Sequence, residues 1–195
     1  EWSQSDFYEI ELVNTYGLDA LEYLLFADSA ANSCPPQVDI NSSGSWDALS
    51  LDELQARRAE FTHSMTGHLV SVASSLVDAW EPTAGDFGSQ LVDAGSSSSE
   101  YEDLGQALNA VFDALFYIEL VVKDRKLAQP LGLMDCSSDL CPEDLESPWA
   151  HQSLPNIRSN LVAGRALMTG GDSEEAVGFV DLLEAQGEGE LGTEM

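Results

Sequence analysis

SLDELQARRAEFTHSMTGHLVSVASSLVDAWEP, residues 50–82, decides between helix and strand for the whole chain. Its recurrent inward positions are Leu51, Leu54, Arg58 (through the stem of its side chain), Phe61, Met65, His68, Val72, Leu76 and Ala79. Spacings that alternate between three and four keep one face of a 3.6-residue helix toward a core, and no strand can do this. Ser50 with Glu53 forms a capping box at the start. Pro82 lacks the N–H that a further turn needs, so the helix ends before it.

The same period extends in both directions. Gly85–Ser99 is rich in Gly and Ser and reads as a mobile loop. After it a second long helix is expected from about Tyr101 to Lys123, with a stripe of Leu104, Leu108, Val111, Leu115, Ile118 and Val122 and a capping box at Ser99 and Glu102. Upstream, Tyr16 to Ala27 makes a shorter helix with Leu21, Leu24 and Leu25 as its core face, followed by a Cys-Pro-Pro turn and a Ser/Gly-rich loop. Downstream, Ser153 and Pro155 open a helix whose inner face is Ile157, Leu161 and Leu167 and which Gly170-Gly171 stops. Asp172 or Ser173 then caps a last helix through about Ala185. No segment alternates with β-branched residues, so the expected fold is an all-α helical bundle over residues 1–185, with a frayed acidic Gly/Glu-rich tail at 186–195.

Thirty-five acidic against seven basic residues give a net charge of −28. Such a chain repels DNA, RNA and anionic lipid, so nucleic acid is not an expected partner. The acid remains open to three readings: a solvated coat, attraction of cations, or docking on a basic partner. No run of eighteen apolar residues is present, so no membrane span is expected. The first residue is Glu1 rather than Met, which suggests that a start has been removed, as in a secreted or lipid-anchored precursor. Cys136 and Cys141 stand too far apart for a Cys-x-x-Cys redox motif, and no second pair makes a zinc knuckle; a local disulfide outside the cytoplasm is the simplest reading. Cys34 is left without a partner in the sequence.

No phosphate loop, nucleophile elbow or His-Glu-x-x-His is found. His63 and His68 are five residues apart, about 140° from a shared helix face, and cannot chelate one ion together. His68 on the stripe reads as an interior histidine, and His151 has no evident partner. Asp19 and Glu22, three apart, share a helix face in an otherwise apolar segment. Packed side by side they need a proton, a metal or an arginine to offset their repulsion; facing water they need nothing.

The stretch Asn14-Thr-Tyr-Gly-Leu-Asp-Ala-Leu-Glu-Tyr-Leu-Leu-Phe26 resembles the hallmark helix of imelysin-like proteins, whose motif is Gly-x-His-x-x-Glu followed by an apolar run. Val122-Lys-Asp-Arg-Lys-Leu-Ala-Gln-Pro-Leu-Gly132 resembles the family's basic segment after its long helix. Ser153-Leu-Pro-Asn-Ile-Arg-Ser-Asn-Leu161, with Thr169-Gly-Gly171, resembles the helix that follows. The three occur in the family's order. The resemblance implies two packed helical bundles in a bacterial protein of the periplasm, cell surface or exterior, with links to iron uptake and, in some members, metallopeptidase activity. It also implies helices before Glu1 and after Met195.

Gly17 and Glu22 fit the motif, but Asp19 stands where the family has histidine. Through the resemblance, Asp19 and Glu22 become candidate metal ligands, with iron, calcium or manganese suited to hard oxygen donors better than zinc. Gly17, Lys123, Asp124, Arg125, Arg158 and Asn160 become candidate binding positions. For the basic segment, a helix end whose cations complement the macrodipole is the alternative to an Arg125 that neutralises the Asp19/Glu22 pair or holds an anion. The leading expectation is a non-catalytic envelope binding protein linked to metal acquisition. The others are a metallopeptidase with Glu22 as base or ligand, and an acidic interaction subunit of a surface assembly held by a protein partner.

Overall fold

The computed structural model describes residues 6–30, 32, 34–173 and 175–193. Among them there is no strand, and the fold is all-α as the periodicity requires. The chain divides into two compact units, Glu1–Phe87 and Gly88–Met195.

The first unit is organised on α5, Leu51–Trp80. Its start is the expected capping box: the Ser50 hydroxyl oxygen accepts the Glu53 N–H at 3.2 Å, and the Glu53 carboxylate accepts the Ser50 N–H at 2.9 Å. Leu54 and Met65 are buried on its inner face. The short helices α1 (Phe7–Ile10) and α2 (Val13–Tyr16) bring an aromatic cluster onto that face. Tyr8 stacks on His68 with ring centroids 4.1 Å apart, Tyr16 meets His68 edge-on at 5.3 Å, and Phe7 meets Phe61 edge-on at 5.8 Å. His68 is therefore an aromatic packing partner. Past His68 the stripe is not covered: Val72, Leu76 and Ala79 are exposed, although the period that selects them runs on unbroken. The helix expected over Tyr16–Ala27 is split at Gly17 into α2 and α3 (Leu18–Phe26), and Leu25 faces solvent instead of the core.

Residues expected to be loop carry a short helix, α6, at Phe87–Val92. The second unit then departs from expectation at the second long helix. The Ser99/Glu102 box does not form: the Ser99 hydroxyl donates to the Gln90 carbonyl, and Asp103 takes over as cap by accepting the Gln106 N–H at 2.8 Å. The helix α7 covers Leu104–Asp113, and after a turn the chain rewinds as a π-helix over Ile118–Ala128. Its wider i→i+5 bonding continues into the next turn, where the Gln129 N–H reaches the Asp124 carbonyl. By length and composition alone the stretch Leu104–Ala128 is long and apolar enough to cross a bilayer, which differs from the expectation of no span.

The helix α8, Ser153–Thr169, lies against the π-helix. Contact is close at Gly164, where a Cβ would come within 2.9 Å of the Ile118 side chain. Ile157 is buried there, but Leu161 and Leu167 are exposed, so Ile157 and Gly164 make the inner face. Gly170 ends α8 in the left-handed conformation at φ +75°, as expected. The next helix, α9 (Phe179–Ala185), starts later than Asp172 or Ser173, with the Asp181 carboxylate accepting the Gly178 N–H at 2.8 Å. The tail is not wholly frayed, since Gly189–Thr193 forms α10. Cys136 and Cys141 are joined by a disulfide, and Cys34 is exposed and unbonded.

Candidate functional site

Gly17 fixes where the motif helix begins. Its backbone is extended, and a Cβ there would sit 2.8 Å from the Val13 carbonyl oxygen, so a side chain is excluded by close approach. Asp19 lies in the first turn of α3 and is exposed; a carboxylate at that end also complements the helix dipole. Glu22, one turn on, is half-buried and engaged by a partner. At the other end of α3 an arginine is present that the sequence reading counts only for its stem. Arg58 donates from Nη2 to the carbonyls of Tyr23 at 2.9 Å and Ala27 at 3.0 Å, and from Nη1 to that of Ser29 at 3.1 Å. Its guanidinium also lies 5.2 Å from the Tyr23 ring centroid. These carbonyls belong to the end and exit of α3; that of Tyr23 also accepts the Ala27 N–H at 3.0 Å, and the guanidinium is its second donor. Arg58 thus clamps the helix that carries Asp19 and Glu22.

The basic segment occupies the π-helix of the second unit. Lys123 pairs with Glu119 and, at 3.4 Å, with Asp124; its hydrogen bond to Glu119 holds the exposed ammonium above the usual lysine range. Arg125 and Arg158 are exposed. Asn160 accepts from Lys126 Nζ at 3.0 Å, and Lys126 also pairs with Glu146 at 2.6 Å and lies 5.4 Å from the Tyr117 ring centroid. Burial pushes the Lys126 ammonium down, but the hydrogen bonds to Glu146 and Tyr117 outweigh it and the net shift is upward. The second Glu146 oxygen is buried with no hydrogen-bond partner among the described residues. Of the candidates in this segment, Asp124 and Asn160 are drawn into ion-pair and hydrogen-bond contacts around the two lysines. Through Lys126 the π-helix is tied to Asn160 of α8 and to the loop that carries Glu146.

With this geometry, the sequence profile of the imelysin family (Peptidase_M75, Imelysin) matches residues 5–195, nearly the whole chain. The chain belongs to the imelysin family. No curated protein and no solved structure matches it.

In this imelysin-family protein the motif helix offers a metal two carboxylates and no imidazole. Among the described residues no group of three or more His, Cys, Asp or Glu is gathered where it could hold an ion. A catalytic zinc needs three protein ligands and an open fourth position, and among the described residues Asp19 and Glu22 have no third His, Cys, Asp or Glu gathered with them. Hard cations accept a few carboxylate oxygens completed by water, and Asp19 with Glu22 could supply such a pair. Arg58, Lys126 and Glu146 make these contacts although they lie outside the motif positions. The signal for Arg58 was a cation on an apolar stripe in a chain with seven cations; for Lys126 it was its rarity, as one of two lysines.

Proposed function

We propose that this imelysin-family protein is a non-catalytic binding protein of the bacterial envelope that takes part in metal acquisition, with Asp19 and Glu22 as oxygen ligands of a hard divalent cation. The observation that carries the reading is the donor set of the clamped motif helix: Asp19, open to solvent, replaces the motif histidine, and Glu22 follows one turn later. Such a pair suits reversible capture of iron, calcium or manganese and is poor at the water activation that peptide hydrolysis requires. The disulfide supports an oxidising compartment, which the periplasm and the cell exterior provide.

The test is calorimetric titration of the metal-stripped chain with iron(II), calcium, manganese and zinc, beside an Asp19→Ala/Glu22→Ala double variant. High ionic strength is needed because a net charge of −28 attracts cations everywhere on the surface. One stoichiometric site that disappears in the variant is the expected result. Equal, diffuse binding in both proteins would remove the metal role. Chelator-sensitive cleavage of unfolded polypeptide, lost in Glu22→Gln, would overturn the non-catalytic reading in favour of a peptidase.

A further inference from the structure

The second unit brings together three side chains that the proposed metal site does not use: a lysine, a carboxylate and an amide. Lys126 Nζ lies 2.6 Å from a Glu146 oxygen and 3.0 Å from the Asn160 side-chain oxygen, and stands 5.4 Å from the Tyr117 ring centroid. The lysine side chain is only 11% exposed and that of Glu146 25%, so water has little access between them. Val122 and Ile157, one turn before Lys126 and Asn160 on their helices, are buried, which places the ammonium and the amide at the margin of the core. A structural ion pair in such a place normally has both carboxylate oxygens served. Here the second Glu146 oxygen is buried with no donor among the described residues, while the ammonium is shared with an amide.

We propose that Lys126 and Asn160 join in an intramolecular isopeptide bond, with Glu146 as the proton carrier. The reaction starts when one Lys126 proton passes to Glu146 along their hydrogen bond. An ionised carboxylate with an oxygen buried and undonated is costly, and the transfer removes both charges at once. The hydrogen bonds that hold the Lys126 ammonium above the usual lysine range keep the free amine a minority, so the step is slow. One turnover per chain does not need speed. Rotation about the last bonds of the lysine side chain carries Nζ from the Asn160 oxygen onto Cγ, the carbon bonded to it. The Nζ–Cγ bond forms and the Cγ–Nδ2 bond breaks. Glu146 gives its proton to Nδ2 and takes one from Nζ, so that ammonia leaves and a secondary amide remains. The ammonia then takes up the proton that Lys126 first gave away and departs as ammonium. No oxidant, reductant or cofactor enters. Holding amine, amide and acid in contact replaces an encounter in solution, which is what makes so unreactive an amide open to attack. The product ties the π-helix to α8 covalently.

The experiment is mass spectrometry of the purified full chain, intact and after trypsin. The intact mass should fall below that calculated for the disulfide-bonded sequence by one ammonia. Trypsin cannot cut after an acylated lysine, so the peptide 126–158 should appear joined to 159–165. Lys126→Arg, Glu146→Gln and Asn160→Ala should each show their full calculated mass. Asn160→Asp keeps the carbonyl and should lose one water in place of one ammonia. Where a variant unfolds, as circular dichroism would report, the wild-type peptide map decides without it. Wild type at its calculated mass, with free 159–165 after trypsin, would overturn the proposal. So would a missing ammonia that persists in Asn160→Ala, or a lost water in wild type that maps to Lys126 and Glu146.

Discussion

Arg58 occupies a position on α5 where the period asks for an apolar side chain, and its contacts show why a cation is tolerated there. The stem packs along the stripe, and the guanidinium meets three carbonyl oxygens at 2.9, 3.0 and 3.1 Å. No carboxylate is needed, because the end of α3 itself carries partial negative charge. A lysine cannot reproduce this arrangement, since its single point charge does not fan out to three acceptors. Arg58→Ala should therefore lower stability by about 2–3 kcal/mol in urea unfolding, with Arg58→Lys recovering less than half. If Arg58→Lys behaves as wild type, the fork geometry is irrelevant and only the charge matters. The effect also bears on Glu22, because Tyr23, whose carbonyl and ring both meet Arg58, is the next residue along α3.

Two identical cap signals had different outcomes, which separates what a sequence states from what context decides. Ser50/Glu53 formed its box, whereas at Ser99/Glu102 the Ser99 hydroxyl is engaged by the Gln90 carbonyl and Asp103, an equally good cap directly before the helix, takes the role. At the first box, the backbone N–H and hydroxyl of Ser50 hold the Glu53 carboxyl below its usual range. A group depressed in the folded state stabilises fully above its unfolded value, about 4.3 for Glu, and that stability is lost as pH falls through the lower folded value. Stability should thus decline on acidification partly through Glu53, and Glu53→Gln should flatten that portion of the curve. Ser50→Ala should cost about 1 kcal/mol at neutral pH. Unaltered acid sensitivity in Glu53→Gln would show that other carboxylates carry it. The all-α class, α5 and the Gly170 stop were legible because period and punctuation agree. The rewinding after Asp113 was not, because Leu115, Ile118 and Val122 keep a three–four spacing that does not reveal how widely the backbone is wound. Within the candidate site, Asp19 and Glu22 could be placed on one helix from the sequence, whereas the break that Gly17 makes before it could not. The clamp by Arg58 could not, because it joins residues up to 35 positions apart that only the packing of α3 on α5 brings together.

At the scale of the whole molecule, charge sets the conditions under which the helices hold. Thirty-five acids against seven basic residues repel one another in the folded chain, and the unfolded chain spreads the same charges over a larger volume. Salt should therefore stabilise this protein, unlike one whose surface depends on ion pairs. At 0.01 M ionic strength the Debye length is about 30 Å and most acids sense each other; at 0.15 M it is about 8 Å and only neighbours do. Relief of even 1–2 kcal/mol corresponds to a rise in Tm of at least about 2–4 °C for a chain of this length. Most of that rise should come between 0.01 and 0.15 M sodium chloride, with little beyond. A flat Tm over this range would mean that repulsion is already absorbed by local contacts such as those at Lys123 and Lys126. The same titration separates general screening from specific capture. At matched ionic strength, a cation held by Asp19 and Glu22 should raise Tm above the sodium curve in wild type and fall back onto it in the double alanine variant, because ligand bound only by the folded state adds stability that screening does not. Coincident curves in both proteins would assign the acidity to solubility and screening alone.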